Sequence, residues 1–120
     1  MKSDRRPQRR DLVIPQKTSK CYELEFLTDG YGEDITNFTI YFVVKANYND
    51  TDDNATLKKK ITTHEDAAAG QTLIELSASD TDLIKGDYRY EISYVDGDGI
   101  AEVIFTGRLT ITKTILQTRY

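Results

Sequence analysis

Apolar side chains recur at every second position through much of this chain. Tyr22, Leu24 and Phe26 alternate with Cys21, Glu23 and Glu25; farther on, Phe38, Ile40, Phe42, Val44 and Ala46 alternate with Thr39, Tyr41, Val43 and Lys45. A period of two marks a strand with one face buried. The polar stretch NYNDTDDN ends the second strand, and Leu57 and Ile61 set among lysines predict a short edge strand that the lysines guard against stray pairing. THEDAAAG reads as a helical turn or a loop closed by Gly70, and Gln71 to Ser77 as a further strand. Ser77 or Ser79 then caps one helical turn that runs through Leu83 until Gly86 breaks it.

A hairpin follows. Tyr88, Tyr90, Ile92 and Tyr94 share one face of its first strand, and Ala101, Val103, Phe105, Leu109 and Ile111 share one face of its second. A loop of Asp96 to Gly99 sets Val95 opposite Ile100, Tyr94 opposite Ala101, Ile92 opposite Val103 and Tyr90 opposite Phe105, with Tyr88 covering Gly107. The Asp-Gly-Asp-Gly tip also invites a calcium-loop reading. That loop needs an oxygen ligand where Ile100 stands and a carboxylate where Gly107 stands, so turn chemistry explains the aspartates better. Short strands at turn-rich spacing, with no long helical period, predict an all-β fold: an antiparallel Ig-like β-sandwich of about seven strands, with a small barrel as the alternative.

The charge distribution adds an N-terminal arm to this picture. The 120 residues carry a net charge of -4, yet residues 1–20 hold seven cations against Asp4 and Asp11. Residues 1–17, bracketed by Pro7 and Pro15, read as a basic extended arm, and residues 18–120 as the sandwich with a C-terminal extension. Such an arm is drawn to nucleic acid, anionic lipid or an acidic protein surface. The acidic body disfavours DNA and points the arm, through Arg5, Arg6, Arg9 and Arg10, at another protein. On this reading, deleting residues 1–17 leaves folding intact and abolishes assembly. The charged N-terminus is unlike a signal peptide and no stretch is apolar enough to span a bilayer, which predicts synthesis in the cytosol of whatever cell makes it and no membrane contact.

Catalytic chemistry is sparse. Cys21 is the lone cysteine and His64 the lone histidine, so neither a disulfide scaffold nor a cysteine or histidine metal site is expected, and His64 reads as a solvated loop residue. Glu23 with Glu25, and Asp80 with Asp82, sit two apart on single exposed faces rather than facing each other across a cleft. No nucleophile elbow, phosphate loop or dinucleotide fingerprint occurs. The sequence therefore predicts no enzyme, no catalytic residue, no metal and no cofactor. Asn37, Asn49 and Asn54 begin Asn-x-Thr sequons that no visible export signal serves. Tyr41 and Val43 on the outward side of the second strand, with Ile104 on the last, predict an apolar contact patch, and Ile115, Leu116 and Tyr120 a terminal anchor.

In LIKGDYRY, Tyr88 stands two residues before Tyr90 just after a turn, which resembles the tyrosine corner of Ig-like sandwiches. Read together, Asp34-Ile35-Thr36, Val44-Lys45, the run from Gly70 to Ile92, and Gly107 to Ile111 resemble the small Ig-like domains of tailed-bacteriophage virion proteins, including N-terminal domains of baseplate and tail-fibre subunits. The resemblance covers about residues 20–113 and its motifs are structural. It implies a non-enzymatic virion structural protein, in tail, baseplate, neck or capsid decoration, that forms homo- or hetero-oligomers with other virion proteins. The alternative is a carbohydrate or host-surface recognition module using Tyr31, Tyr41, Tyr48 and Tyr120.

Overall fold

A computed structural model describes residues 1–47, 50, 51 and 54–114. Tyr48, Ile115, Leu116 and Tyr120, singled out in the sequence, lie outside the described residues. Among the described residues ten strands form two facing sheets: β1 (Lys2–Ser3), β2 (Gln8–Arg9), β3 (Leu12–Pro15), β4 (Lys20–Thr28), β5 (Tyr31–Gly32), β6 (Thr39–Lys45), β7 (Leu57–Ile61), β8 (Gln71–Leu76), β9 (Gly86–Val95) and β10 (Ala101–Thr112). In the smaller sheet β4 pairs with β1, β5 and β8. In the larger one the order is β7, β6, β9, β10, with β2 and β3 along the far edge of β10. The expected Ig-like sandwich is present. It has more strands than seven because the first segment and β5 add short ones, and the sheets are mixed because β1, β2 and β3 all run parallel to their partners.

Residues 1–17 lie along the sandwich. β1 pairs with β4, setting Ser3 beside Phe26; the chain then crosses to the other sheet, where Leu12, Val13 and Ile14 pair with Leu109, Thr110 and Ile111. Leu12 and Ile14 point inward at 6% and 1% exposure while Val13 between them is 61% exposed, the alternation of a half-buried strand. The expectation that folding survives loss of this segment is thereby corrected: it supplies core. Arg5 makes the crossing, at φ 71°, a left-handed conformation that costs a non-glycine residue about 1–2 kcal/mol. Its guanidinium offsets that cost by pairing with Glu33 and lying 5.3 Å and 5.5 Å from the ring centres of Phe38 and Tyr94.

A second bend, between β2 and β3, is fixed by backbone approach. A Cβ on Gly107 would stand 2.2 Å from the Arg10 carbonyl oxygen, so only glycine lets the first segment pass. The Tyr90 hydroxyl donates to that same carbonyl, and the Arg108 amide donates to Asp11 Oδ1 at 3.0 Å. Burial pushes the Tyr90 phenol up to about 12, with Arg10 opposing and Asp11 adding. The Arg108 hydrogen bond, above all, holds Asp11 below the usual carboxylate range.

The β9–β10 hairpin forms in a different register from the expected one. Asp96 N–H donates to the Ile100 carbonyl and Gly99 N–H to the Asp96 carbonyl, with Gly99 at φ 82°, so the loop proper is three residues closed by a left-handed glycine. Asp96 Oδ1 accepts from the amides of Asp98 and Ile100, which is the structural work of that aspartate. Val95 therefore faces Ala101 and Ser93 faces Val103; a bulge at Ile104 then puts Ile92 opposite Phe105. The two irregularities turn Val103 outward and Ile104 inward.

The core lies between the sheets. Phe38 stacks on Tyr94 with centres 5.1 Å apart, and Phe26 meets both edge-on. The Tyr94 hydroxyl is buried and, among the described residues, has no hydrogen-bond partner. Burial chiefly, with Glu102 and Asp96 adding against the pull of Arg5, raises its pKa. The Tyr88 hydroxyl donates to the Ile84 carbonyl at 2.7 Å, completing the tyrosine corner. Ser77 caps a single turn, as expected: Asp80 N–H donates to Ser77 Oγ, Ser77 N–H donates to Asp80 Oδ2, and the Thr81 amide reaches back to the Ser77 carbonyl at 3.3 Å. His64 is half-buried rather than solvated: its Nε2 is 2.8 Å from the Phe38 carbonyl, which only accepts, so Nε2 carries the proton, and its Nδ1 is 2.9 Å from Thr72 Oγ1. The ring thus ties the start of β6 to β8 across the open side of the sandwich.

Candidate interaction surface

Of the residues expected to bind a partner, Tyr41 and Val43 come together. Both are half-buried on the outer side of β6, where alternation turns Ile40, Phe42 and Val44 to the core. Register carries the same side across the sheet: Tyr41 and Val43 are beside Lys60 and Lys58 of β7, and beside Ser93 and Glu91 of β9. Val95 and Val103, half-buried on the same face, extend the apolar patch. Shallow depressions mark it. One of about 380 Å³ is lined by Tyr41, Val43, Lys58, Glu91, Ser93 and Val95, and one of about 100 Å³ by Val43, Lys45, Arg89, Tyr90, Glu91 and Thr106.

Cations surround this patch. Lys45, Lys58, Lys60 and Arg89 project from β6, β7 and β9, and Arg108, which pairs with Arg89 across the strands, projects from β10. Arg9 joins them from β2, opposite Thr106, with Asp11 3.6 Å away. Glu91 and Asp87 are the carboxylates on the same strand positions of β9, and Thr110 Oγ1 donates to Asp87 at 2.8 Å. A chain of net charge -4 thus presents a face on which cations outnumber carboxylates. Lys59, between Lys58 and Lys60, points the other way and meets Asp80 at 2.8 Å. Burial opposes ionisation of Asp80, but hydrogen bonds from Lys59 and Ser77 prevail and lower its pKa.

The remaining predicted residues do other work. Ile104 is fully buried, at 0% exposure, because the bulge turns it inward; it is core and not patch. Arg5 holds the crossing described above. Arg6 is exposed and pairs with its neighbour Asp4, and Arg10 is exposed with its carbonyl bonded to Tyr90. Tyr31, at 79% exposure, begins β5 beside Thr28 in the smaller sheet, whereas Tyr41 lies in the larger one. Val103, Arg89 and Arg108 escaped the sequence reading. A signal for the first was present in Ile104-Phe105, two adjacent apolar residues in an otherwise alternating strand, which is how a bulge reads.

The opposite face of the sandwich has the other sign. Cys21, Glu23, Glu25 and Leu27 point outward from β4, and Leu73 and Glu75 from β8, against Lys2 of β1. Desolvation raises the Cys21 thiol pKa and the carboxylates of Glu75, Glu65 and Glu23 add to the rise, so the local field there is negative.

No protein-family model matches the chain, and no curated protein sequence matches it. Among solved structures it is similar to the N-terminal domain of phage TP901-1 ORF48, at 12% identity and TM-score 0.54 over 85% of this chain and 84% of that one. It is also similar to the soluble domain of PmoD from Methylocystis sp. ATCC 49242 (Rockwell), at 9% identity and TM-score 0.50 over 83% of this chain and 77% of that one. At these identities the likeness is one of fold, and it places this Ig-like sandwich beside a phage domain of nearly the same extent.

Proposed function

We propose that this chain is a structural subunit of a tailed-phage virion, without catalysis of its own, that docks to other virion proteins through the outer face of β6, β7, β9 and β10. The observation that carries the reading is agreement between two independent lines: the motif run over about residues 20–113 resembles phage virion domains, and the fold is similar to a phage domain over 85% of the chain. A half-buried apolar patch ringed by cations suits a protein partner. Tail, baseplate, neck and capsid decoration are the positions this reading embraces. Quantitative mass spectrometry of gradient-purified particles, from a culture expressing the gene during phage growth, tests it. The chain is expected at a fixed ratio to the major tail or head proteins; recovery solely in the particle-free lysate would overturn the reading.

A further inference from the structure

The two broad faces of the sandwich carry opposite charge, and the fold alone requires neither. Lys58, Lys60, Arg89 and Arg108 project from the larger sheet around Tyr41 and Val43. Glu23, Glu25 and Glu75 project from the smaller sheet around Leu27 and Leu73. We propose that copies of this chain stack face to back, the cationic outer face of one copy docking on the acidic outer face of the next. The inference rests on reading the cationic face as a subunit-docking surface and names the partner that its charge fits.

Geometry decides between the two ways that copies could meet. A two-fold dimer through the larger sheets would set the cationic patch of Lys58, Lys60, Arg89 and Arg108 against the same patch of the other copy, and one through the smaller sheets would set glutamates against glutamates; like charges in apposition are costly. Face-to-back contact sets each sign against the other and covers the half-buried apolar residues of both. Such a contact is heterologous, so it propagates into a ring or a short stack rather than ending at two copies. At about 3.3 Å per residue and about 4.8 Å per strand, the seven-residue width of β6 across five strands gives a flat area of about 550 Å². That is below the ~800 Å² per partner of a standard interface. Association is therefore weak in isolation and dependent on charge, hence on salt.

Charge exchange tests this directly. Lys58→Glu/Lys60→Glu cancels the cationic excess of the larger sheet's face, and Glu23→Lys/Glu75→Lys makes both faces cationic; all four side chains are exposed, so circular dichroism should show both variants folded. Sedimentation velocity on the full chain at about 0.02 M and about 0.5 M salt is the readout. The unmodified protein is expected to associate at low salt and dissociate at high salt. Each variant alone should associate at least about tenfold more weakly, and an equimolar mixture of the two should regain association, since the cationic faces of one meet the acidic faces of the other. A monomeric unmodified protein at low salt, undiminished association of the single variants, or a mixture that stays monomeric would each overturn the stacking. A monomer that is nonetheless present in purified particles would overturn the stacking and leave the virion reading standing; a stacking protein absent from particles would do the reverse.

Discussion

Replacing Ile14 by alanine separates a strand from an arm. Ile14 is 1% exposed in β3 and packs in the core beside Leu109 and Ile111 of β10, so truncation removes buried apolar volume and leaves a cavity. Buried isoleucine-to-alanine changes cost about 2–5 kcal/mol. Against a total stability of about 5–15 kcal/mol, a loss near the middle of that range is a large fraction. With a urea dependence of about 1.5–2 kcal/mol per molar, about 3 kcal/mol lowers the unfolding midpoint by about 1.5–2 M. Val13 supplies the control: it is the next residue in the same strand, it is 61% exposed, and Val13→Ala should shift stability by less than about 0.5 kcal/mol. Urea unfolding followed by circular dichroism measures both. An Ile14→Ala midpoint within experimental error of the Val13→Ala midpoint would refute the placement of this segment in the core.

Three further outcomes follow from particular contacts. Gly107→Ala should destabilise by at least about 2 kcal/mol or unfold the domain, because its Cβ would meet the Arg10 carbonyl at 2.2 Å; thermal melting checks this, and a native-like midpoint would mean that the first segment does not pass there. Tyr94→Phe removes a buried hydroxyl without a hydrogen-bond partner and should leave stability unchanged or raise it by about 1 kcal/mol, whereas a loss above that size would reveal a partner for the hydroxyl. Tyr90 has a folded pKa of about 12 against an ordinary value near 10, so the neutral phenol favours the folded state. That contribution is fully present below about pH 10 and is lost as pH rises through 12, amounting to about 2–3 kcal/mol. Denaturation midpoints across that range should fall, and Tyr90→Phe should flatten the fall; parallel profiles would contradict it.

The long strands were legible because each carries at least three inward residues in register. Tyr22, Leu24 and Phe26, then Ile40, Phe42 and Val44, then Tyr90, Ile92 and Tyr94 all face the core as their alternation predicts. Local hydrogen-bonding motifs were legible too: Asp34 Oδ1 accepts from the Thr36 amide and hydroxyl, and the Tyr88 hydroxyl closes the corner. Strand β3 was hidden because Leu12-Val13-Ile14 offers only two inward residues, placed between a charged run and Pro15. Proline is tolerated there because β3 lies on a sheet edge. The hairpin register slipped by one because a three-residue loop and a four-residue loop are both compatible with Asp-Gly-Asp-Gly, and the bulge at Ile104 adds a second step, which sets Tyr90 opposite Gly107 but returns Phe105, Leu109 and Ile111 to the inward face. The interaction face was half legible. Tyr41 and Val43 are two apart on one strand, but the cations around them come from five strands and meet only through sheet order, which periodicity does not encode. His64 was misread because its two partners, the Phe38 carbonyl and Thr72, are brought together only by the closing of the two sheets.

The central claim is that this chain serves inside a particle and docks there through its cationic face. Lysine acylation of intact purified particles, compared with the free protein and read by mass spectrometry, tests it most directly. Lys58 and Lys60, on the docking face, should be modified in the free protein and protected in the particle, while Lys85, exposed just ahead of β9 and off that face, should react equally in both. Equal reactivity of Lys58 and Lys60 in particle and free protein, or absence of the chain from the particle, would contradict the account.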